Sequence, residues 1–203
     1  MEDIYNEVYD VLKQQKNLPM NNDRPNVSGI RKIVSYGNDI KYGYNRRLGF
    51  PCQSTTFGFT RKRFDKKDKG LTEYVSNKKY PLVYQALLEL ASYIIPDDLE
   101  VNSITLNHNL KCKPHIDAYN KYDSIIVGLG DYTGGELCLY NEDKMDECID
   151  IKNKPLRFNG SKIMHSTNDF EGDRWSVVYF CKWIKLKYIS IYKYAIQNIK
   201  TQK

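Results

Sequence analysis

Apolar positions Ile4, Val8, Val11 and Leu12 recur at helical spacing, so an amphipathic helix is predicted over about Asp3 to Gln15, broken by the segment Asn17 to Pro25. From there to about Gly70 the pattern is irregular and rich in Gly, Asn, Tyr and basic residues. Short strand-like pieces occur there at Arg31–Val34 and Thr55–Phe59. Binding residues gather on loops held by a rigid scaffold, which makes 20–80 the expected substrate-facing region. A second helix is well marked: Pro81 opens it, Leu82, Val83, Ala86, Leu87, Leu90, Ala91 and Ile94 form one stripe, and Pro96 stops it. Short β-like runs bounded by turn residues follow at Ser103–Leu110, Ser124–Leu129, Glu136–Tyr140, Cys148–Ile151, Leu156–Phe158 and Trp175–Trp183. Helices followed by such a series predict an α+β chain whose strands close into a sandwich or barrel.

Composition narrows the class. With 41% hydrophobic and 28% charged residues, 203 residues can bury a core unaided, and no apolar run reaches the roughly 18 residues needed to span a bilayer. The opening MEDIYNEVYDVLKQQ carries acids where a secretory leader is basic. Five cysteines (Cys52, Cys112, Cys138, Cys148, Cys181), odd in number and without a CxxC pair, argue against a disulfide framework and a structural zinc site. The expectation is a soluble intracellular protein with no membrane partner, its oligomeric state open. The net charge of +6, with local runs at Arg61-Lys62-Arg63, Lys66, Lys67 and Lys69, would attract a polyanion. Abundant Lys, Asn, Ile and Tyr, including 17 tyrosines, also follow from AT-rich coding sequence such as that of many viruses and microbes, so the charge supports nucleic acid only weakly.

The three histidines, His108, His115 and His165, carry the chemistry. In His115-Ile116-Asp117 the outer side chains share a face on extended backbone, bringing an imidazole and a carboxylate to one metal. His165 completes a facial triad that leaves coordination positions open. Nine residues later Arg174 opens the strand Arg174-Trp175-Ser176, where Arg174 and Ser176 share a face and together suit a carboxylate. His108 reads as a strand or core histidine, Cys112 as a small buried residue, and Gly134-Gly135 as a tight turn or close backbone approach. Phe57, Phe59, Tyr119 and Tyr122 are aromatics available for stacking, although a core or surface role is the commoner use of each.

Asn102 to Trp183 resembles the double-stranded β-helix (jelly-roll, cupin-like) core of Fe(II)- and 2-oxoglutarate-dependent oxygenases. The resemblance runs through HID (115–117), SIIVGLGDYTGGELCLY (124–140), LRFNGSKIMH (156–165) and FEGDRWSVVYF (170–180), and it is greatest to the TET/JBP branch. It implies Fe(II) on His115, Asp117 and His165, with 2-oxoglutarate and O2 as co-substrates. Arg174 and Ser176 would hold 2-oxoglutarate, with Asn107 and Ser124 as further candidate contacts. The strand Leu106-Asn107-His108-Asn109 stands where such cores carry Asn-x-Tyr. Residues 1–203 are then one domain: a helical and substrate-loop region (1–100), the β-helix core (101–184) and a tail (185–203). The implied reaction is hydroxylation of a C–H bond on a methylated nucleic-acid base. Alternatives are a prolyl-type protein hydroxylase and a non-catalytic binding module.

Overall fold

The computed structural model describes residues 2–15, 18, 43–45, 50–61, 71–142 and 144–182. The expected Arg31–Val34 strand, the basic cluster at 62–69 and the tail from 183 lie outside these residues, as does much of the 20–80 region.

Helix α1 (Glu2–Lys13) buries Ile4, Tyr5, Val8 and Leu12, with Val11 half-buried, as the spacing predicts. A short helix α2 (Val75–Lys79) leads into α3 (Pro81–Ile94). Pro81 takes the helix start, where its missing N–H costs nothing, and Pro96 biases Ile95 toward the extended conformation it adopts (φ −89°, ψ 119°). Val83, Ala86, Leu87, Leu90 and Ala91 face inward; Leu82, expected on the same stripe, is exposed because it falls on the outer side of the first turn.

The strands are β1 (Gly43–Asn45), β2 (Phe50–Arg61), β3 (Leu71–Glu73), β4 (Ser103–His108), β5 (Ser124–Gly134), β6 (Leu137–Asn141), β7 (Lys144–Ile149), β8 (Leu156–Phe158), β9 (Met164–Thr167) and β10 (Phe170–Phe180). One sheet runs β1-β2-β4-β10-β5-β8 with β3 on β2; the other runs β7-β6-β9. An antiparallel bridge between His115 and His165 adds a further rung beside β9. The chain thus alternates sheets: β4, the His115 rung, β5, then the β6–β7 hairpin, β8, β9 and β10. That path is a jelly roll, the double-stranded β-helix expected.

Period-two alternation gives the larger sheet two different faces. Ile104 and Leu106 of β4, Ile125, Val127 and Leu129 of β5, and Trp175, Val177 and Tyr179 of β10 pack against α1 and α3 in the main core. The intervening residues of β5 and β10 face the smaller sheet. There Ile126, Leu137, Ile151 and Phe158, with Val178 against them, form a second, smaller apolar cluster.

One expectation is corrected. Cys138 and Cys148 form a disulfide, because the β6–β7 hairpin sets them directly opposite each other in register. An odd cysteine count and spacing could not reveal a cross-strand pair that only the register creates. Phe57 takes the commoner of its two readings, a core role: it is fully buried on the helix side of β2, against Tyr84. Among the described residues no helix is long and apolar enough to cross a membrane.

Candidate active site

His115 and His165 are brought together by backbone before any side-chain contact. Each N–H of the bridge donates to the other's carbonyl, at 3.0 and 2.9 Å. Each imidazole then donates from Nδ1 to the carbonyl two residues upstream, His115 to Lys113 (2.7 Å) and His165 to Ile163 (3.0 Å). A carbonyl can only accept, so both Nδ1 atoms carry the proton and both Nε2 atoms are the acceptor nitrogens, turned toward Asp117. Asp117 is held where the chain leaves the bridge, its N–H donating to the Gly160 carbonyl at 2.7 Å. Its two carboxylate oxygens lie 3.9 Å from the two Nε2 atoms, Oδ1 toward His115 and Oδ2 toward His165. The three ligand atoms lie within 4.8 Å of one another, and no other such cluster occurs among the described residues. Two imidazoles, each oriented by a backbone carbonyl on Nδ1, and one carboxylate suit a divalent transition metal with open positions.

The second element of the site is Arg174, 2% exposed. Its Nε and Nη2 donate to the Gly135 carbonyl at 3.2 and 2.9 Å, and its guanidinium carbon lies 5.5 Å from the Tyr132 ring centre and 5.3 Å from that of Phe170. No carboxylate of the described residues forms a salt bridge to it, and burial pulls its pKa below the usual arginine value. A buried guanidinium held by a carbonyl, ring faces and a neighbouring hydroxyl, with no salt bridge among the described residues, is strongly stabilised by an anion. The Tyr132 hydroxyl is buried with no well-formed hydrogen bond beside the Arg174 guanidinium, and burial raises its pKa although the neighbouring cation opposes the shift. It sits where β5 leaves room: a Cβ at Gly128 would lie 2.1 Å from this oxygen. Gly135 serves Arg174 similarly, since a Cβ there would come within 2.5 Å of Nε and its φ is +72°. A buried cation with no salt bridge among the described residues, beside a buried hydroxyl, fits one carboxylate of a dicarboxylate.

Ser176 and Asn107 occupy facing register positions on β10 and β4, and Asn107 Nδ2 donates to Ser176 Oγ at 3.3 Å. Asn107 Oδ1 accepts from Ser54 at 2.7 Å. The row Ser54, Asn107, Ser176, Gly128 therefore crosses four strands on one face. Ser124, fully buried, lies on the same face of β5, its Oγ 3.5 Å from Asn120 Nδ2. His165 packs edge-on against Phe158 of the inter-sheet cluster at 4.9 Å, and Val178, two residues from Ser176 and four from Arg174, packs against that cluster too. Both halves of the site thus line the space between the sheets.

His108 is a strand histidine, one of its two readings: it ends β4 and is half-buried. It bonds Asp173 at 2.6 Å and stacks on Trp175 with ring centres 3.9 Å apart. Cys112 is half-buried. Tyr132 and Asn120 were missed. Tyr132 shares strand parity with Ser124, Ile126 and Gly128, so alternation along β5 carried a signal for it. Nothing in the sequence marked Asn120.

No protein-family model matches the chain, and no curated protein matches it. Among solved structures it is similar to a 2OG-Fe(II) oxygenase. That protein, from Burkholderia pseudomallei, shares 12% identity at a TM-score of 0.43, over 65% of this chain and 68% of that one. NgTET1 in complex with 5mC DNA shares 16% at 0.44, over 64% of this chain and 60% of that one. A prolyl hydroxylase from Trichoplax adhaerens, in complex with a hypoxia inducible factor peptide, shares 16% at 0.47, over 89% and 79%. The chain therefore spans about three-fifths of the NgTET1 chain.

Proposed function

We propose that this chain is an Fe(II)- and 2-oxoglutarate-dependent oxygenase that hydroxylates a substrate C–H bond. The observation that carries the reading is the pairing of the His115–Asp117–His165 cluster with buried Arg174, which has no salt-bridge partner among the described residues, and Tyr132 on walls of one inter-sheet space. A metal cluster alone is common; one sharing a cleft with a buried carboxylate receptor suits a metal-bound dicarboxylate. Bound Fe(II) supplies activation of O2 at the expense of 2-oxoglutarate. His115, Asp117 and His165 hold the ion, Arg174 and the Tyr132 hydroxyl take the far carboxylate, and Ser176, Asn107 and Ser124 line the wall between. The apolar shell of Ile126, Ile151, Phe158 and Val178 keeps bulk water from the reacting centre.

For substrate we infer a methylated nucleic-acid base of the 5-methylcytosine or thymine type. Support comes from the net charge of +6 and from the rim beside the ligands, where Tyr119 is 85% and Ile116 49% exposed next to Lys113. A flipped base needs such an aromatic or apolar surface to replace lost stacking.

The test is incubation of the purified chain with Fe(II), 2-oxoglutarate, O2 and 5-methylcytosine- or thymine-containing DNA or RNA, reading succinate and modified nucleosides by mass spectrometry. Succinate lost in His115→Ala together with a hydroxylated base is the expected result. Succinate with unmodified nucleic acid, but oxidation of a proline-containing peptide, would replace the base by a protein substrate. No succinate with any substrate would overturn the oxygenase reading.

A further inference from the structure

We infer that Asn120 is a positioning residue for the metal site, fixing the rotation of the Asp117 carboxylate. This rests on the reading of His115, Asp117 and His165 as metal ligands. Asn120 is 8% exposed, and its Nδ2 donates to Asp117 Oδ2 at 3.3 Å, with Ser124 Oγ 3.5 Å away.

The backbone shows why this amide can act as a fixed reference. Its N–H closes a turn onto the Asp117 carbonyl at 2.9 Å, so ligand and amide belong to one local unit. An antiparallel bridge ties Asn120 to Lys182, and the adjacent Lys121 N–H donates to the Cys181 carbonyl at 2.9 Å. The turn is thereby anchored to the end of β10, the strand that carries Arg174.

A carboxylate on a short side chain can rotate about its last bond, whereas each imidazole is fixed through Nδ1. An amide donor on Oδ2 removes that freedom and keeps Oδ1 turned toward His115 and Oδ2 toward His165 before an ion arrives. Outer partners of this kind typically contribute about 10–100-fold in metal affinity.

The experiment is a titration of the purified full chain with Co(II), comparing wild type with His115→Ala, Asn120→Ala and Asn120→Leu, alongside metal-free melting curves. Leucine fills the volume of asparagine without its donor, so it stays informative if alanine leaves a collapsed site. Both Asn120 variants should bind Co(II) about 10–100-fold more weakly while metal-free melting barely moves. In an Asp117→Ala background, where the two imidazoles still bind weakly, adding Asn120→Ala should cost nothing further. Wild-type affinity in either Asn120 variant that melts like wild type, or an equal loss in the Asp117→Ala background, overturns the inference. If wild type and His115→Ala are equally unable to bind Co(II), the metal-site reading itself fails.

Discussion

The two faces of the larger sheet are made by the same strands and do opposite work. On β10, Trp175, Val177 and Tyr179 face the helices, where they join the main apolar core that α1 and α3 cover. Arg174 and Ser176, one residue out of phase, face the smaller sheet, where a guanidinium with no salt bridge among the described residues, a buried tyrosine hydroxyl and two histidines share space with only a small apolar cluster. Stability is concentrated on one face, which frees the other to carry groups that are costly without a ligand. A substitution should therefore report its face: helix-side changes lower stability, and cleft-side changes lower binding and turnover.

The largest contrast sets His165→Ala against Leu87→Ala. The first should abolish metal-dependent succinate formation while shifting the metal-free melting temperature much less than the second. Leu87→Ala, at a fully buried position in the helix-side core, should cost about 2–5 kcal/mol in denaturant unfolding. Equal stability losses would show that the two faces are not separable. Gly135→Ala tests the join between them. A side chain at φ +72°, 2.5 Å from Arg174 Nε, should cost about 1–3 kcal/mol and raise the 2-oxoglutarate requirement through displacement of the guanidinium.

Tyr132→Phe sharpens the comparison because its effects should have opposite signs. Removing a buried hydroxyl without a well-formed hydrogen bond should leave the metal-free protein as stable or more so, yet weaken 2-oxoglutarate binding by about tenfold, since a hydrogen bond to a charged group contributes roughly 1.5–3 kcal/mol. Unchanged 2-oxoglutarate affinity in a titration would remove Tyr132 from the pocket. The smallest effect concerns the attachment of α1. Burial raises the Asp173 pKa, but hydrogen bonds from His108, Tyr9 and Trp175 outweigh it and hold the carboxyl below its ordinary value. A depressed folded-state pKa stabilises the protein above the unfolded value near about 4 and ceases to do so as the pH falls through the folded one. Asp173→Asn should flatten that acid-side loss in pH-dependent melting, more visibly than it changes stability at neutral pH.

Periodicity and punctuation made the helices and most strands legible. Proline at 81 and 96 bounded α3, and alternation marked β4, β5 and β10. Strand β9 was not read as a strand although it carries His165, because its four residues, Met164–Thr167, are too short to show a period. The Cys138–Cys148 disulfide was hidden for a related reason, since it depends on the register of two strands.

Taken alone, the sequence determined the chemistry on offer: two histidines and an aspartate able to share an ion, an arginine opening a strand, and glycines where backbone must come close. These are matters of residue type and local spacing, which folding does not alter. Only the tertiary structure decided that both Nδ1 atoms are bound to carbonyls, that Arg174 is buried without a salt-bridge partner among the described residues, that the Tyr132 hydroxyl is buried beside it, and that Asn120 donates to the Asp117 carboxylate. Each of these depends on groups distant in sequence meeting across sheets, and a partner's absence, like its presence, exists only once the chain has closed around the site.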